Sequence, residues 1–283
     1  MFYIPIWRST ILRTTDDLYT CQIKSTDGDL GKINDFYFDD EDWVIRYLEF
    51  DTSNWLIRRK ALISPVALTA PDWKNKTIQT NLSQEQINNC PGIGVHRPVS
   101  RQQEIKYFAY YGYPIYWGGN GLWGEGLYPA GLMSANSKRD PQPNAVAAKA
   151  YSIAQNDDPH LRSWEKVKGY KVKGADEDIG HIADFLVDEQ TFAIRYVIVQ
   201  TSDWWFGHQV LISPQWFSEV QWSDSTVIVK HTRGEIQSAP AYNSSEKLDR
   251  SREEDIYKHY GFHGYWQNEA SGRPQHNITI NLK

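Results

Sequence analysis

The chain repeats itself at a fixed distance of 149 residues. Gly31-Lys-Ile-Asn-Asp-Phe36 falls on Gly180-His-Ile-Ala-Asp-Phe185, Ile45-Arg-Tyr47 on Ile194-Arg-Tyr196, and Leu62-Ile-Ser-Pro65 on Leu211-Ile-Ser-Pro214. Between positions 31 and 65, fifteen of 35 residues are identical without a gap. The register persists further: Trp73 meets Trp222, Arg101 meets Arg250, and Tyr116-Trp117 meets Tyr265-Trp266. Solenoid repeats are several-fold shorter, so this period predicts two whole domains rather than an array. The expected division is a first unit over 1–117, a linker or arm over 118–160, a second unit over 161–266 and a tail over 267–283.

Each copy reads as strands. Lys32 to Phe38 alternates, with Ile33 and Asp35 on one face and Asn34, Phe36 and Phe38 on the other. A polar turn, Asp39-Asp-Glu-Asp42, separates it from Trp43 to Asp51, giving a hairpin that Ile182 to Gln200 repeats. A further strand precedes Ser64-Pro65, and Thr77–Thr80 and Thr226–Lys230 follow as strand candidates. Proline cannot donate to a ladder, so Pro65 and Pro214 mark strand ends. Ser83-x-x-Gln86, Ser100-x-x-Gln103 and Thr232-x-x-Glu235 fit capping boxes that open short helices, the second ending at Gly112. The fold class expected is mainly β: two small barrels in tandem, each with short C-terminal helical decoration, joined by a Gly/Pro-rich linker. Within that linker, Ala145 to Gln155 has the composition of a brief helix.

On these residues the sequence resembles the PRC-barrel family. The segments that carry the likeness are Gly28 to Phe38, Trp43 to Tyr47 and Leu62 to Pro65, with their partners in copy two. Trp204-Trp205, Val210 to Trp216, Asp158 to Ser163 and Tyr260 to Trp266 resemble the bacterial tandem members in particular. The family takes its name from a barrel shared by the photosynthetic reaction centre H subunit and a ribosome-maturation factor. The resemblance implies a binding and assembly module without a shared catalytic motif. Fold by itself licenses no function.

Composition narrows the functional classes. The formal net charge is −5, and copy one nets −2 from 12 Lys and Arg against 14 Asp and Glu. This argues against broad electrostatic binding to nucleic acid. The two cysteines, Cys21 and Cys90, face Tyr170 and Ala239 in the other copy, so no bridge repeats, and a reducing compartment fits. The opening segment is broken by Pro5 and Arg8, too short for a signal peptide's apolar region, and no stretch reaches the length of a membrane span. A cytoplasmic location is expected, with four Asn-x-Ser/Thr triplets read as chance.

No constellation reaches the threshold for chemistry. His259 and His263 are four apart, but Gly261 intervenes and no zinc-type ligand set completes them. Asp39 to Asp42 lacks the spacing of a calcium loop and reads as a solvated turn. Gly119-Asn-Gly-Leu-Trp-Gly124 spells a dinucleotide fingerprint, but Gly126 and Pro129 prevent the helix that must follow, so it reads as flexible linker. Arg58-Arg-Lys60 reads as a solvated turn and has no counterpart in copy two. The repeated positions Gly31, Asp35, Arg46 and Pro65, with Gly180, Asp184, Arg195 and Pro214, read as structural, the Asp and Arg as an ion pair or a strand-end hydrogen bond. Trp55, Trp204 and Trp205 lie on or beside the loop before the last core strand. They are the candidate partner-binding residues, the competing reading being rings that lid the barrel end.

The expected function is therefore a non-enzymatic adaptor or scaffold with an unknown protein partner, needing no metal and no cofactor. Two alternatives stand beside it: an RNA- or ribosome-associated maturation factor, and an enzyme with a cryptic site between the barrels. The aromatic segments Tyr107–Trp117 and Tyr257–Trp266 need a partner surface, either their own barrel or the sister copy. That leads to the expectation that the barrels pack as an internal pseudo-dimer, with homo-oligomers open as a further state.

Overall fold

The structure is a computed structural model that describes residues 11–51, 60–69, 71–91, 99–117, 119–136, 160–201 and 208–270. Its architecture is mainly β, with two sheets and a few short helices. The first half contributes β1 (Leu12–Thr14), α1 (Thr15–Tyr19), β2 (Gln22–Lys24), β3 (Asp29–Asp39), β4 (Val44–Asp51), β5 (Lys60–Ile63) and β6 (Thr77–Gln79). Helices α2 (Gln84–Asn89), α3 (Arg101–Tyr111) and α4 (Pro129–Asn136) follow. The second half contributes β7 (Leu161–Ser163), α5 (Trp164–Val167), β8 (Lys171–Lys173), β9 (Asp178–Asp188), β10 (Ile194–Thr201), β11 (Gln209–Ile212), β12 (Phe217–Gln221) and β13 (Thr226–Val229). Helices α6 (Arg233–Gln237), α7 (Arg250–His259) and α8 (Tyr265–Ala270) complete it.

Strand boundaries recur at the shift read from the sequence: β3 with β9, and β5 with β11, are both displaced by 149. One sheet runs β5-β4-β3-β2-β6 and the other β11-β10-β9-β8-β13-β12. In each, the long antiparallel hairpin pairs onward to a short strand that lies parallel to its next neighbour, β2 to β6 and β8 to β13. The hairpins form where alternation and the acidic turns place them, and their inner residues Phe36, Tyr47, Phe50, Ile182, Tyr196 and Val199 are buried. Gly180 is required by close approach: a Cβ there would sit 2.0 Å from the carbonyl oxygen of Gln200 on β10. Gly31, at the equivalent place, has φ of 126°. The capping boxes of α2 and α6 form, and α3 ends at Gly112 with φ of 68°.

One expectation is corrected at the level of strands: the copies do not keep their sheets separate. β1 from the first copy pairs antiparallel with β9 of the second, Leu12 opposite Asp188 and Thr14 opposite Leu186. β7 from the second copy pairs the same way with β3 of the first, Leu161 opposite Asp39 and Ser163 opposite Tyr37. Every one of these partners is shifted by 149 from its counterpart, so the exchange is reciprocal. The physical reason is that a three-residue strand has too few hydrogen bonds to hold its own place and joins whichever long strand offers an open edge.

The two hairpin turns meet between the sheets. Val44 and Ala193, equivalent residues, form an antiparallel bridge, and Ile194 N–H donates to the Trp43 carbonyl at 2.7 Å while Ile45 N–H donates to that of Phe192 at 2.9 Å. Trp43 and Phe192 both adopt left-handed backbone, φ 55° and 59°. For a bulky residue that conformation costs roughly 1–2 kcal/mol, and it recurs here because each carbonyl is aimed at the other copy. Aromatic packing closes the junction: Phe38 against Phe185 at 5.5 Å and Trp43 against Phe217 at 5.2 Å.

Candidate functional site

The residues that repeat with the hairpin clasp the exchanged segments. Asp35, on β3, accepts from the Ser163 hydroxyl at 2.5 Å and from the Glu165 N–H at 3.1 Å, which caps α5 of the other copy. Asp184, on β9, accepts from the Thr15 hydroxyl and, at 3.2 Å, from the Thr15 N–H, which caps α1. Burial pushes both carboxyl pKa values up, against the lowering effect of these donors. Of the two readings of the repeated Asp and Arg, the ion pair between them gives way to hydrogen bonds: Asp35 and Asp184 bond across the junction, and Arg46 and Arg195 pair with other carboxylates.

Arg46 is fully buried and lies against Asp39 at 3.4 Å and Asp42 at 2.9 Å, with its guanidinium 3.9 Å above the Tyr116 ring. Arg195 lies against Asp188 at 2.8 Å and Glu269 at 2.6 Å, over the Tyr265 ring at 4.1 Å. The turn from Asp39 to Asp42 is consequently not a solvated one, because Asp39 and Asp40 are buried against arginines. Asp40 meets Arg162 of the exchanged strand at 2.7 Å, and burial pushes its pKa up to about 6 despite that guanidinium. Arg13 repeats the contact with Glu189 at 3.2 Å.

The segment read as flexible linker is also corrected over residues 119–126. Trp123 is wholly buried, donates its indole N–H to the Thr191 carbonyl at 2.8 Å, and with Leu122 roofs Arg46, whose guanidinium donates to the Leu122 carbonyl. A buried cation recruits a carbonyl and an aromatic face, and this glycine-rich run supplies both. The Ala145–Gln155 helix candidate lies outside the described residues.

A carboxylate at one repeated position behaves oppositely in the two copies. Glu104 accepts from the hydroxyls of Tyr47 and Tyr116, with Arg101 at 3.3 Å and His160 Nε2 at 2.8 Å. Burial raises its pKa, but His160, Arg101 and Tyr116 outweigh burial and hold it below the usual range. Glu253 has the equivalent Tyr196, Tyr265 and Arg250, yet burial prevails and its pKa is raised. The difference is the residue before the exchanged strand: His160 in one case, Ile11 in the other.

The aromatic end segments pack on their own copies, Tyr107 on Tyr47 at 5.0 Å and Tyr257 on Trp216 at 5.0 Å. Pro65 and Pro214 open short 3-10 turns after the strands they terminate. The candidate partner residues Trp55, Trp204 and Trp205 lie outside the described residues, as do Arg58 and Arg59. Cys21 and Cys90 are not disulfide-bonded, and His259 Nε2 sits 2.8 Å from the Glu235 carbonyl. Among the described residues, no group of three or more His, Cys, Asp or Glu could hold a metal ion, and no helix is long and apolar enough to cross a membrane.

Sequence reasoning missed a groove on the second copy. Beside β11, the segment after α6 crosses the strand's end, Tyr242 N–H donating to the Gln209 carbonyl at 2.7 Å. Between it and α7 opens a pit of about 80 Å³, floored by Leu211, Leu248 and Ile256. The pit leads into a wider basin of about 520 Å³ rimmed by Gln200, His208, Gln209, Asn243 and Ser244. Tyr242, Glu246 and Arg252 line both.

Residues 160–236 match the family model described as PRC-barrel domain. The second copy thus carries a PRC-barrel domain, and the match spans β7 to α6, including the exchanged strand. No curated protein matches the chain.

Proposed function

We propose that the protein is a non-enzymatic binding and assembly factor built from two PRC-barrel units in tandem, locked as an internal pseudo-dimer. The observation that carries this reading is the PRC-barrel match at 160–236, joined to strand exchange that repeats at the same 149-residue shift in the first copy. The buried titratable groups support it, because they are used up structurally. Asp35 and Asp184 cap helices across the junction, and Arg46 and Arg195 neutralise the turns, so neither pair presents a nucleophile with a base to a substrate. Such an architecture gives a rigid body with two related but unequal faces, the property an adaptor needs to hold different partners.

The test is affinity purification of the full chain from its source cell, followed by co-elution of the recovered partner with purified protein in stoichiometric amount. A partner that co-elutes in a salt-tolerant complex is the expected result. Recovery of no stoichiometric protein partner overturns the reading, and salt-sensitive recovery of RNA instead moves the protein to the maturation-factor class.

A further inference from the structure

We propose that residues 277–282 add to the open edge of β1 as a further strand, a strap that the chain lays across its own second unit. The inference goes beyond the binding reading above and stands whether or not a partner is found.

The argument starts from the difference between the two exchanged strands. β7 is held on both sides: β3 pairs with one edge, and Val99 of the first copy bridges Leu161 antiparallel on the other. Leu161 is wholly buried, and His160 before it is buried too. β1 has one side filled. Its strand partner is β9, and among the described residues no bridge reaches Leu12 from elsewhere. Leu248, the counterpart of Val99, instead lines the pit beside β11. Leu12 is accordingly half-buried, and Ile11, at the place of His160, is 37% exposed. A short strand with a bare edge and an apolar residue at its entrance is a template for another strand.

The surroundings say which strand. Glu269, on α8, meets Arg195 at 2.6 Å, Arg195 meets Asp188 at 2.8 Å, and Asp188 lies opposite Leu12. The chain therefore leaves α8 beside the start of β1. Tyr128, 49% exposed, stands close enough to Asp188 and Glu269 for their charges to add to burial in pushing its phenol pKa up. Ile11 and Tyr128 thus leave apolar surface around one point. Beyond α8 the sequence supplies a match. Gly272 and Pro274 punctuate it, and then 278–282 alternates, with Ile278, Ile280 and Leu282 on one face and Thr279 and Asn281 on the other. Seven residues separate Ala270 from Ile278. They reach up to roughly 25 Å, several times the spacing of about 4.8 Å between neighbouring strands. Residues 1–10 fit the edge less well, because Pro5 interrupts them and they would have to double back on the strand they lead into. A strand from a second copy competes at a disadvantage with one already tethered beside the edge.

The test is hydrogen exchange of the full chain read residue by residue by NMR, together with amide-to-amide Overhauser contacts. Amides of 278–282 are expected to exchange at least about tenfold more slowly than those of an unstructured peptide, and to show contacts to β1. Ile278→Asp combined with Ile280→Asp is expected to remove that protection, to speed exchange of β1 amides that face the open edge, and to leave 161–163 unchanged, since Val99 covers that strand. The proposal is overturned if 278–282 exchange at peptide rates in the wild type, if their protection survives the double substitution, or if their contacts run to a strand other than β1. Protection that falls on dilution overturns it as well, because a second copy then supplies the strand. Contacts from the β1 edge to residues 1–10 overturn it in favour of the N-terminal segment. Recovery or loss of a protein partner moves none of these readouts, so the assembly reading is judged separately.

Discussion

Removing the Asp35 carboxylate tests the exchange directly, because the side chain sits in one copy and holds a segment of the other. Its acceptor oxygens serve three donors: the Ser163 hydroxyl at 2.5 Å, the Glu165 N–H at 3.1 Å and the neighbouring Phe36 N–H at 2.7 Å. Loss of a helix cap destabilises by about 0.5–2 kcal/mol, and each buried donor left without an acceptor adds about 1–3 kcal/mol. The Ser163 hydroxyl can turn toward another acceptor, so the combined effect expected for Asp35→Ala is about 3 kcal/mol. Asp35→Asn keeps one carbonyl oxygen and is expected to lose about 1 kcal/mol. Urea unfolding followed by tryptophan fluorescence gives both values. Hydrogen exchange locates them: protection should fall over residues 161–167, more than 120 positions from the mutation, and Asp184→Ala should lower protection over residues 12–19. A loss below about 0.5 kcal/mol for Asp35→Ala, or unchanged exchange at 161–167, would refute the clasp.

Three further outcomes follow from the buried charges and the close strand contact. The folded-state pKa of Asp40 is raised, so its contribution to stability is complete below the ordinary aspartate value and is lost as pH rises through about 6. Denaturation from pH 4 to pH 7 should therefore show the stability of Asp40→Asn improving relative to wild type by up to about 3 kcal/mol, and parallel profiles would contradict the shift. His160→Ala should destabilise by about 1–3 kcal/mol, since Glu104 keeps Tyr47, Tyr116 and Arg101. The Glu104 carboxyl, followed by NMR, should titrate at higher pH in that variant, and an unmoved titration would remove His160 from the site. Gly180→Ala, whose Cβ would fall 2.0 Å from the Gln200 carbonyl oxygen, should lose about 3 kcal/mol by thermal or urea unfolding. A neutral result there would mean that β9 and β10 are less tightly apposed than described.

The hairpins, the strand-ending prolines and the helix caps were legible because each is written in neighbouring residues: alternation from Lys32 to Phe38, Ser83 three places before Gln86, Gly112 after α3. The exchange was not, because Leu12–Thr14 and Leu161–Ser163 look alike and pattern does not say which long strand a short one joins. Asp35 and Asp184 stood out by their repetition, but their true partners lie 128 and 169 positions away, and Arg46 seemed the nearer answer. Asp39 to Asp42 looked solvated for the same reason. Four acidic residues in a row signal a turn, while the arginines that bury two of them come from β4, α3 and β7. The glycine-rich run concealed its role because one tryptophan, Trp123, decides its packing, and averages over a segment erase a single residue.

The traded strands have a consequence for cooperativity. β9 cannot leave its sheet without releasing β1, and β3 cannot leave without releasing β7, so each half melts with part of the other. Two free-standing units would give two transitions, each with a denaturant slope set by half the buried surface, whereas these should unfold in one step with the slope of the whole. The tether between the halves then fixes the exchange at an effective concentration that dilution cannot change. Midpoints measured at widely different protein concentrations should therefore coincide, as they would not for arms passed between separate molecules.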